Sequence, residues 1–429
     1  MEIPFKMKKI PACILCALAL ASCSPVEPHK GTPVDVLQVP ASVESDAFAL
    51  QAFRLLLSEQ KGNVVFSPAG LEAVLKLLQQ GARGKLAEEL AALHMGGGAG
   101  KSAMRVSKAN ALFVAEGIKL KPGVDGDAVL PAAFAGNPAE ARESINDWAS
   151  DSTDGMIRQM VGADLPRSTR LVAANAIALD EKWLRPFEEN STSPHGFHLR
   201  DGSTKQVQMM STRDKFHYAS GKDWQAVALF YKTEGRPGTP GCFIGILPKG
   251  NARAFAAGLT PQKMSAIRKQ LATSALQEVV VRLPKFETST PAFSLKGILQ
   301  ACGVQSAFLP GADFSGFTDE PLVLDEVQQR CYTKVDEQGT KAAAVTMSLC
   351  QQSANVPLDV PKDITFDRPF LWVIGDLTTP RRPLVYGFVR GTLTPAPPSR
   401  VLHLRPGWCR CRFSYDIPGF FAGNFFNLS

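Results

Sequence analysis

From Gly339 to Ser348 the chain carries small residues, Gly339-Thr340-Lys341-Ala342-Ala343-Ala344-Val345-Thr346-Met347-Ser348, directly after a stretch that alternates Tyr332, Lys334 and Asp336 with Thr333, Val335 and Glu337. Alternation of period two is a strand pattern. Thr340, Ala342, Ala344, Thr346 and Ser348 fall on one parity, so the segment has side chains that fit a packed interior as a strand and solvent as a loop. No proline occurs between Gly339 and Asn355, which a central strand would forbid, and no charge falls on the inward parity. Lys341 falls on the other parity, with Ala343. An alanine-rich helix end or linker is the plainer alternative.

The chain's 429 residues, 45% hydrophobic and 20% charged, are enough for a sizeable core. No Pro/Gly/Ser-rich linker interrupts residues 46–394, which favours one domain. The net charge of +7 is dispersed, without the basic cluster and interleaved aromatics of a nucleic-acid groove, so no nucleic-acid partner is expected.

Candidate catalytic motifs fail on spacing. Gly96-Gly97-Gly98-Ala99-Gly100-Lys101-Ser102 imitates a phosphate loop, but Met95 stands where the first glycine is required. No Gly-x-Ser-x-Gly elbow and no His-Glu-x-x-His pair occurs, and His195 and His198 suit a turn or surface. No cysteine pair in the domain has metal-ligand spacing. Neither a metal nor another cofactor is expected, and no catalytic apparatus is evident. Cys242, Cys302 and Cys331 suit a core, while Cys350 lies in the loop segment.

The first residues suit export. Lys6, Lys8 and Lys9 precede an apolar run from Ile10 to Ala21, too short to span a bilayer comfortably. It ends in Leu20-Ala21-Ser22-Cys23, an order that resembles the bacterial lipobox. By that resemblance residues 1–22 are a lipoprotein signal peptide, Cys23 is the lipidated amino terminus, and proline-rich residues 23–45 are a tether. An ordinary signal peptide with an incidental cysteine is the alternative. A cell-envelope location with a membrane anchor follows, or an extracellular one.

Helical spacing recurs at Phe48, Ala52, Leu55 and Leu56, and at Leu71, Val74, Leu75 and Leu78 behind Ser67-Pro68, a cap followed by an N1 proline. Strand patterns follow at 171–179, 225–231, 241–247 and 277–283, and helices at 261–271 and near 293–301. The pattern is α+β, with helices first.

Eight blocks stand in the order of one family. They are Asn63-Val64-Val65-Phe66-Ser67-Pro68; Gly81-Ala82-Arg83-Gly84 with Glu88-Glu89-Leu90; Asn175-Ala176-Ile177 with Lys182-Trp183 and Pro186-Phe187; Leu247-Pro248-Lys249-Gly250; Leu283-Pro284-Lys285-Phe286; Asp313-Phe314-Ser315-Gly316; the small-residue hinge; and Phe366-Asp367-Arg368-Pro369-Phe370-Leu371. In these blocks residues 46–394 resemble a serpin.

The resemblance implies helices packed on three β-sheets, an exposed reactive-centre loop near 339–362, and a monomer. It also implies irreversible inhibition of a serine protease: the target cleaves the loop, is held as an acyl-enzyme, and is trapped as the loop enters the main sheet. Glu337, Gly339, Thr340, Ala342, Ala343, Ala344 and Thr346 would form the hinge. Counting from Gly339 as the family does places the reactive bond at Ser353-Ala354, and counting back from Phe366 places it at Leu358. No lysine, arginine or aromatic residue lies between Ala342 and Pro361, which favours an elastase-like target over a trypsin-like one. A subtilisin-like or cysteine protease, or a non-inhibitory binding role, stays open. Relatives often place a histidine at the position of Gln329, bonded to the equivalents of Ser67 and Asn175; glutamine both donates and accepts, without a titratable switch. Residues 395–429, rich in aromatics, receive no role.

Overall fold

A computed structural model describes residues 41–93, 103–289, 293–340, 361–377 and 383–391. Helix α1 (Ala41–Glu59) leads into strand β1 (Val64–Phe66) and helices α2 (Pro68–Gly81) and α3 (Gly84–Ala92). Strands β2 (Val106–Ala115) and β3 (Val129–Ala132), helix α4 (Pro138–Ser152), and strands β4 (Leu171–Leu179) and β5 (Glu181–Lys182) come next. Four strands follow, β6 (Ser193–His198), β7 (Thr204–Ser220), β8 (Trp224–Phe230) and β9 (Gly241–Pro248), then helices α5 (Ala252–Ala257) and α6 (Pro261–Thr273). Beyond these come β10 (Leu276–Pro284), β11 (Phe286–Ser289), β12 (Phe293–Ser294), α7 (Lys296–Ala301), β13 (Leu324–Val335), β14 (Gly339–Thr340), β15 (Lys362–Thr365), β16 (Phe370–Asp376) and β17 (Val385–Val389).

Local chemistry accounts for the helix starts. Ser67 accepts a hydrogen bond from Gly70 N at 3.1 Å, Pro68 follows, and Leu71, Val74, Leu75 and Leu78 are buried along one face of α2. Thr260 and Pro261 start α6 in the same way. Helix α1 begins at Ala41, so residues 41–45 of the expected tether are helical. The helix expected from Phe293 begins only at Lys296, because Phe293 and Ser294 pair with Gln329 and Gln328 of β13. Short apolar runs do not distinguish the two states by period alone.

Among the described residues the strands form two sheets. One runs β1-β17-β16-β9-β8-β7-β10-β15, with β6 on β7; the other runs β3-β2-β4-β13-β14-β5, with β11 and β12 on β13. Two of the expected three sheets share β7, whose residues 209–217 pair with β10 and 217–220 with β8, so one ladder runs through both.

Every residue of β4 is buried, as in a strand covered on both faces. Leu171 and Ala173 pack in the cluster that includes α2, whereas Val172, Ala174 and Ala176 pack with Ile145 of α4 and Phe113. Cys242 and Cys331 are buried and Cys302 half-buried; burial pushes their thiols up to about 12, 12 and 11. His195 and His198 are exposed on β6.

Candidate functional site

Strands β4 and β13 lie parallel and directly paired from Val172↔Glu326 to Ala178↔Tyr332, with no strand between them. Their continuations part. β4 runs on to β5, while β13 turns through residues 336–338 and returns as β14, which pairs with Val335 on one side and with Glu181 and Lys182 on the other. Thus Gly339 and Thr340 sit inside the sheet, at the end of a seam that is otherwise closed.

Asp336 builds the turn. Its Oδ1 accepts from Gln338 N at 3.1 Å and Gly339 N at 3.3 Å, and its own N donates to Gly339 O at 3.0 Å. Gly339 permits the close approach that follows: a Cβ there would stand 2.0 Å from the carbonyl oxygen of Glu181. Thr340 is fully buried, with its hydroxyl 2.8 Å from the Tyr231 phenol. Tyr231 stacks on Trp183 at 4.9 Å and 9°, and Trp183 Nε1 donates to Asp336 O at 2.9 Å. Burial raises the Tyr231 phenol well above its ordinary value, so it stays protonated beside the threonine.

Two carboxylates flank this turn. Glu337 Oε2 lies 2.7 Å from Lys285 Nζ, and its Oε1 accepts from the Thr192 hydroxyl at 2.8 Å. Burial works to raise the Glu337 carboxyl, but the bonds from Lys285 and Thr192 outweigh it and hold it below the usual carboxylate range. Glu181, which pairs with Thr340 across the ladder, is buried and takes a bidentate pair from Arg236 at 2.9 and 2.8 Å, with Arg105 N on the same Oε1. There burial wins over Arg236, and the carboxyl is raised.

Lower in the seam, Ser67, Asn175 and Gln329 come together. Gln329 Oε1 accepts from Ser67 N at 2.9 Å, while Nε2 donates to Ser67 O at 2.9 Å and to Asn175 Oδ1 at 2.8 Å. Asn175 is oriented by its own amide, which donates to Ala109 O and Asn110 Oδ1. The Ser67 hydroxyl is not in this network: it caps α2 and donates to Leu384 O at 2.7 Å. Gln329 therefore ties β13 to β4 through a side chain and to the start of α2 through backbone. Helix α2 comes close here, since a Cβ on Gly70 would meet Asn175 Oδ1 at 2.2 Å.

Of the hinge residues expected from sequence, Glu337, Gly339 and Thr340 lie in this turn and the strand that follows it. Ala342, Ala343, Ala344, Thr346, the reactive-bond candidates Ser353, Ala354 and Leu358, and the lipidation candidate Cys23 lie outside the described residues. Sequence reasoning misses the partners Tyr231, Glu181 and Arg236. Nothing local marks them: Glu181 follows Asp180 just beyond the end of β4, where a solvated carboxylate is the ordinary expectation. Trp183 and Lys285 are visible in the sequence only as members of the ordered blocks, without their contacts.

Residues 43–390 match the family model described as serpin (serine protease inhibitor). An uncharacterized serpin-like protein of Thermococcus kodakarensis is 33% identical over 75% of this chain and 79% of its own length. Alpha-1-antiproteinase S of Cavia porcellus is 28% identical over 80% of this chain and 88% of its own. Among solved structures, the native state of the thermophilic serpin tengpin superposes with a TM-score of 0.69 at 24% identity, covering 84% of this chain and 97% of that one.

Proposed function

The chain belongs to the serpin family of serine protease inhibitors, and from that premise we propose that it is a suicide-substrate inhibitor of an elastase-like serine protease. The protease's nucleophile attacks the carbonyl of Ser353, the amine of Ala354 leaves, and the acyl-enzyme is trapped as residues 340–353 enter between β4 and β13. Small residues throughout the loop sequence favour an elastase-like pocket. The observation that carries the proposal is the arrangement at the seam: β4 and β13 are paired below, and Thr340 already occupies the position of a first inserted residue above. Insertion would extend a strand that has begun, each step exchanging one β4–β13 pairing for two new ones. Such a native state would be held kinetically, with the inserted form lower in free energy. The protein would work as a monomer tethered to the cell envelope through lipid on Cys23.

The test is incubation of the protein with elastase-like, chymotrypsin-like, trypsin-like, subtilisin-like and papain-like proteases, read on denaturing gels and by mass spectrometry. A denaturation-resistant complex with the elastase-like enzyme and a released peptide beginning at Ala354 is expected. Clean cleavage without a complex would make the protein a substrate or a binding module, and a peptide beginning elsewhere would move the reactive bond.

A further inference from the structure

A second site lies apart from the seam and shares no residue with it. The segments after β6 and β9, the turn before β16 and the end of β17 enclose a cavity of about 290 Å³, near the lower size of small-molecule sites. Among the described residues four arginines line it, Arg200, Arg253, Arg368 and Arg390, and no acid does. Phe388, Leu199 and Pro369 supply an apolar wall between them.

The cations are poorly compensated. Arg368 pairs with the carboxylate of its neighbour Asp367 at 2.9 Å. Arg390 Nη2 donates to Leu57 O at 2.6 Å, and its Nε is buried without a hydrogen-bond partner. Among the described residues Arg253 finds only the carbonyls of Leu57 and Ser58, at 3.5 Å. Among the described residues Arg200 makes no hydrogen bond or ion pair. Burial first, and then the like charges of Arg253 and Arg200, work against the charge of Arg390 and hold its guanidinium below the ordinary value, so the three groups are close enough to repel.

We propose that this cavity binds a small amphiphilic anion, a carboxylate or phosphate head among Arg200, Arg253 and Arg390 with a short hydrocarbon body against Phe388 and Leu199. Guanidinium groups present paired donors that match both heads, and an anion relieves the mutual repulsion. Charge argues against the chain's own carboxy-terminal segment as the occupant: residues 392–429 carry Arg400, Arg405, Arg410 and Arg412 against Asp416 alone.

Calorimetric titration of the full chain with octanoate, octyl phosphate, octanol and inorganic phosphate tests this. At least one of the two amphiphilic anions should bind, and whichever binds more tightly identifies the head. Octanol, which lacks the charge, and inorganic phosphate, which lacks the hydrocarbon body, should each be weaker by about tenfold or more. Arg200→Ala, chosen because Arg200 is exposed and makes no hydrogen bond or ion pair among the described residues, should keep the wild-type melting temperature and lose about tenfold in affinity. Octanol binding as tightly as octanoate, no binding of either anion, or unchanged affinity in Arg200→Ala would each overturn the proposal.

Discussion

Replacing Gln329 with leucine should shorten the lifetime of the native state. The substitution keeps the volume roughly and removes three buried nitrogen-donor hydrogen bonds and the weaker one that Oε1 accepts from the Cys331 thiol at 3.6 Å. Ser67 O keeps a partner, because it accepts from Leu71 N at 3.0 Å in the first turn of α2. Asn175 Oδ1 is left without one, and Ser67 N keeps only the weak sulfur acceptor of Cys331. An orphaned buried polar group costs about 1–3 kcal/mol, so the two losses, offset slightly by the more apolar leucine, weaken the closed seam by roughly 3 kcal/mol. If the seam must part before the loop enters, these bonds are absent at the barrier, and the loss appears almost wholly in the rate of conversion. At 1.36 kcal/mol per factor of ten, conversion should accelerate roughly a hundredfold. Native gels and tryptophan fluorescence, followed at fixed temperature, would read the decay of the native form into inserted or polymeric species. A Gln329→Leu lifetime within threefold of wild type would refute the idea that this network gates the seam. Gln329→His supplies a control, since a neutral imidazole both accepts and donates; it should be mild at neutral pH and lose its acceptor as pH falls through the histidine range near 6.5.

Three further outcomes are expected. Thr340→Val strands the buried Tyr231 phenol and should lower stability by about 1–2 kcal/mol, whereas Thr340→Ser should restore most of it; equal melting temperatures for the two variants would show that the Tyr231 contact contributes nothing. Glu337→Gln should cost roughly 1–3 kcal/mol at neutral pH through the lost Lys285 pair. Because the folded carboxyl is held low, its contribution is present above the unfolded value and disappears as pH falls through the folded one, so the two proteins' denaturation curves should converge below the usual carboxylate range; a gap that persists at acid pH would contradict this. Ala344→Glu places a charge on the inward parity of the loop and should turn inhibitor into substrate, with an undiminished yield of covalent protease complex as the contrary result.

Much of the scaffold is legible in the chain because it rests on local chemistry. Ser67-Pro68 ahead of a 3.6-residue apolar rhythm announces α2, and the mostly apolar run at 171–179 announces a strand. The expected helix start at Phe293 fails because two residues of β12 are held by pairing with β13, which no short window contains. Of the seam, the trio Ser67, Asn175 and Gln329 comes from resemblance, and the geometry alters its chemistry: the serine enters through its backbone, and its hydroxyl serves α2.

Residue type and order limit what each segment is able to become. The small residues on one parity and the absence of proline after Gly339 make residues 340–348 acceptable to a sheet interior as well as to solvent, and that is a property of side-chain size and backbone donors alone. Which partners meet follows from the packing of distant segments. Thr340 with Tyr231, Glu181 with Arg236 and Glu337 with Lys285 are separated by 109, 55 and 52 positions. Whether a carboxylate such as Glu181 points into a core or into water depends on what the distant chain brings to it, so its role could be settled only once the sheet had brought those segments together.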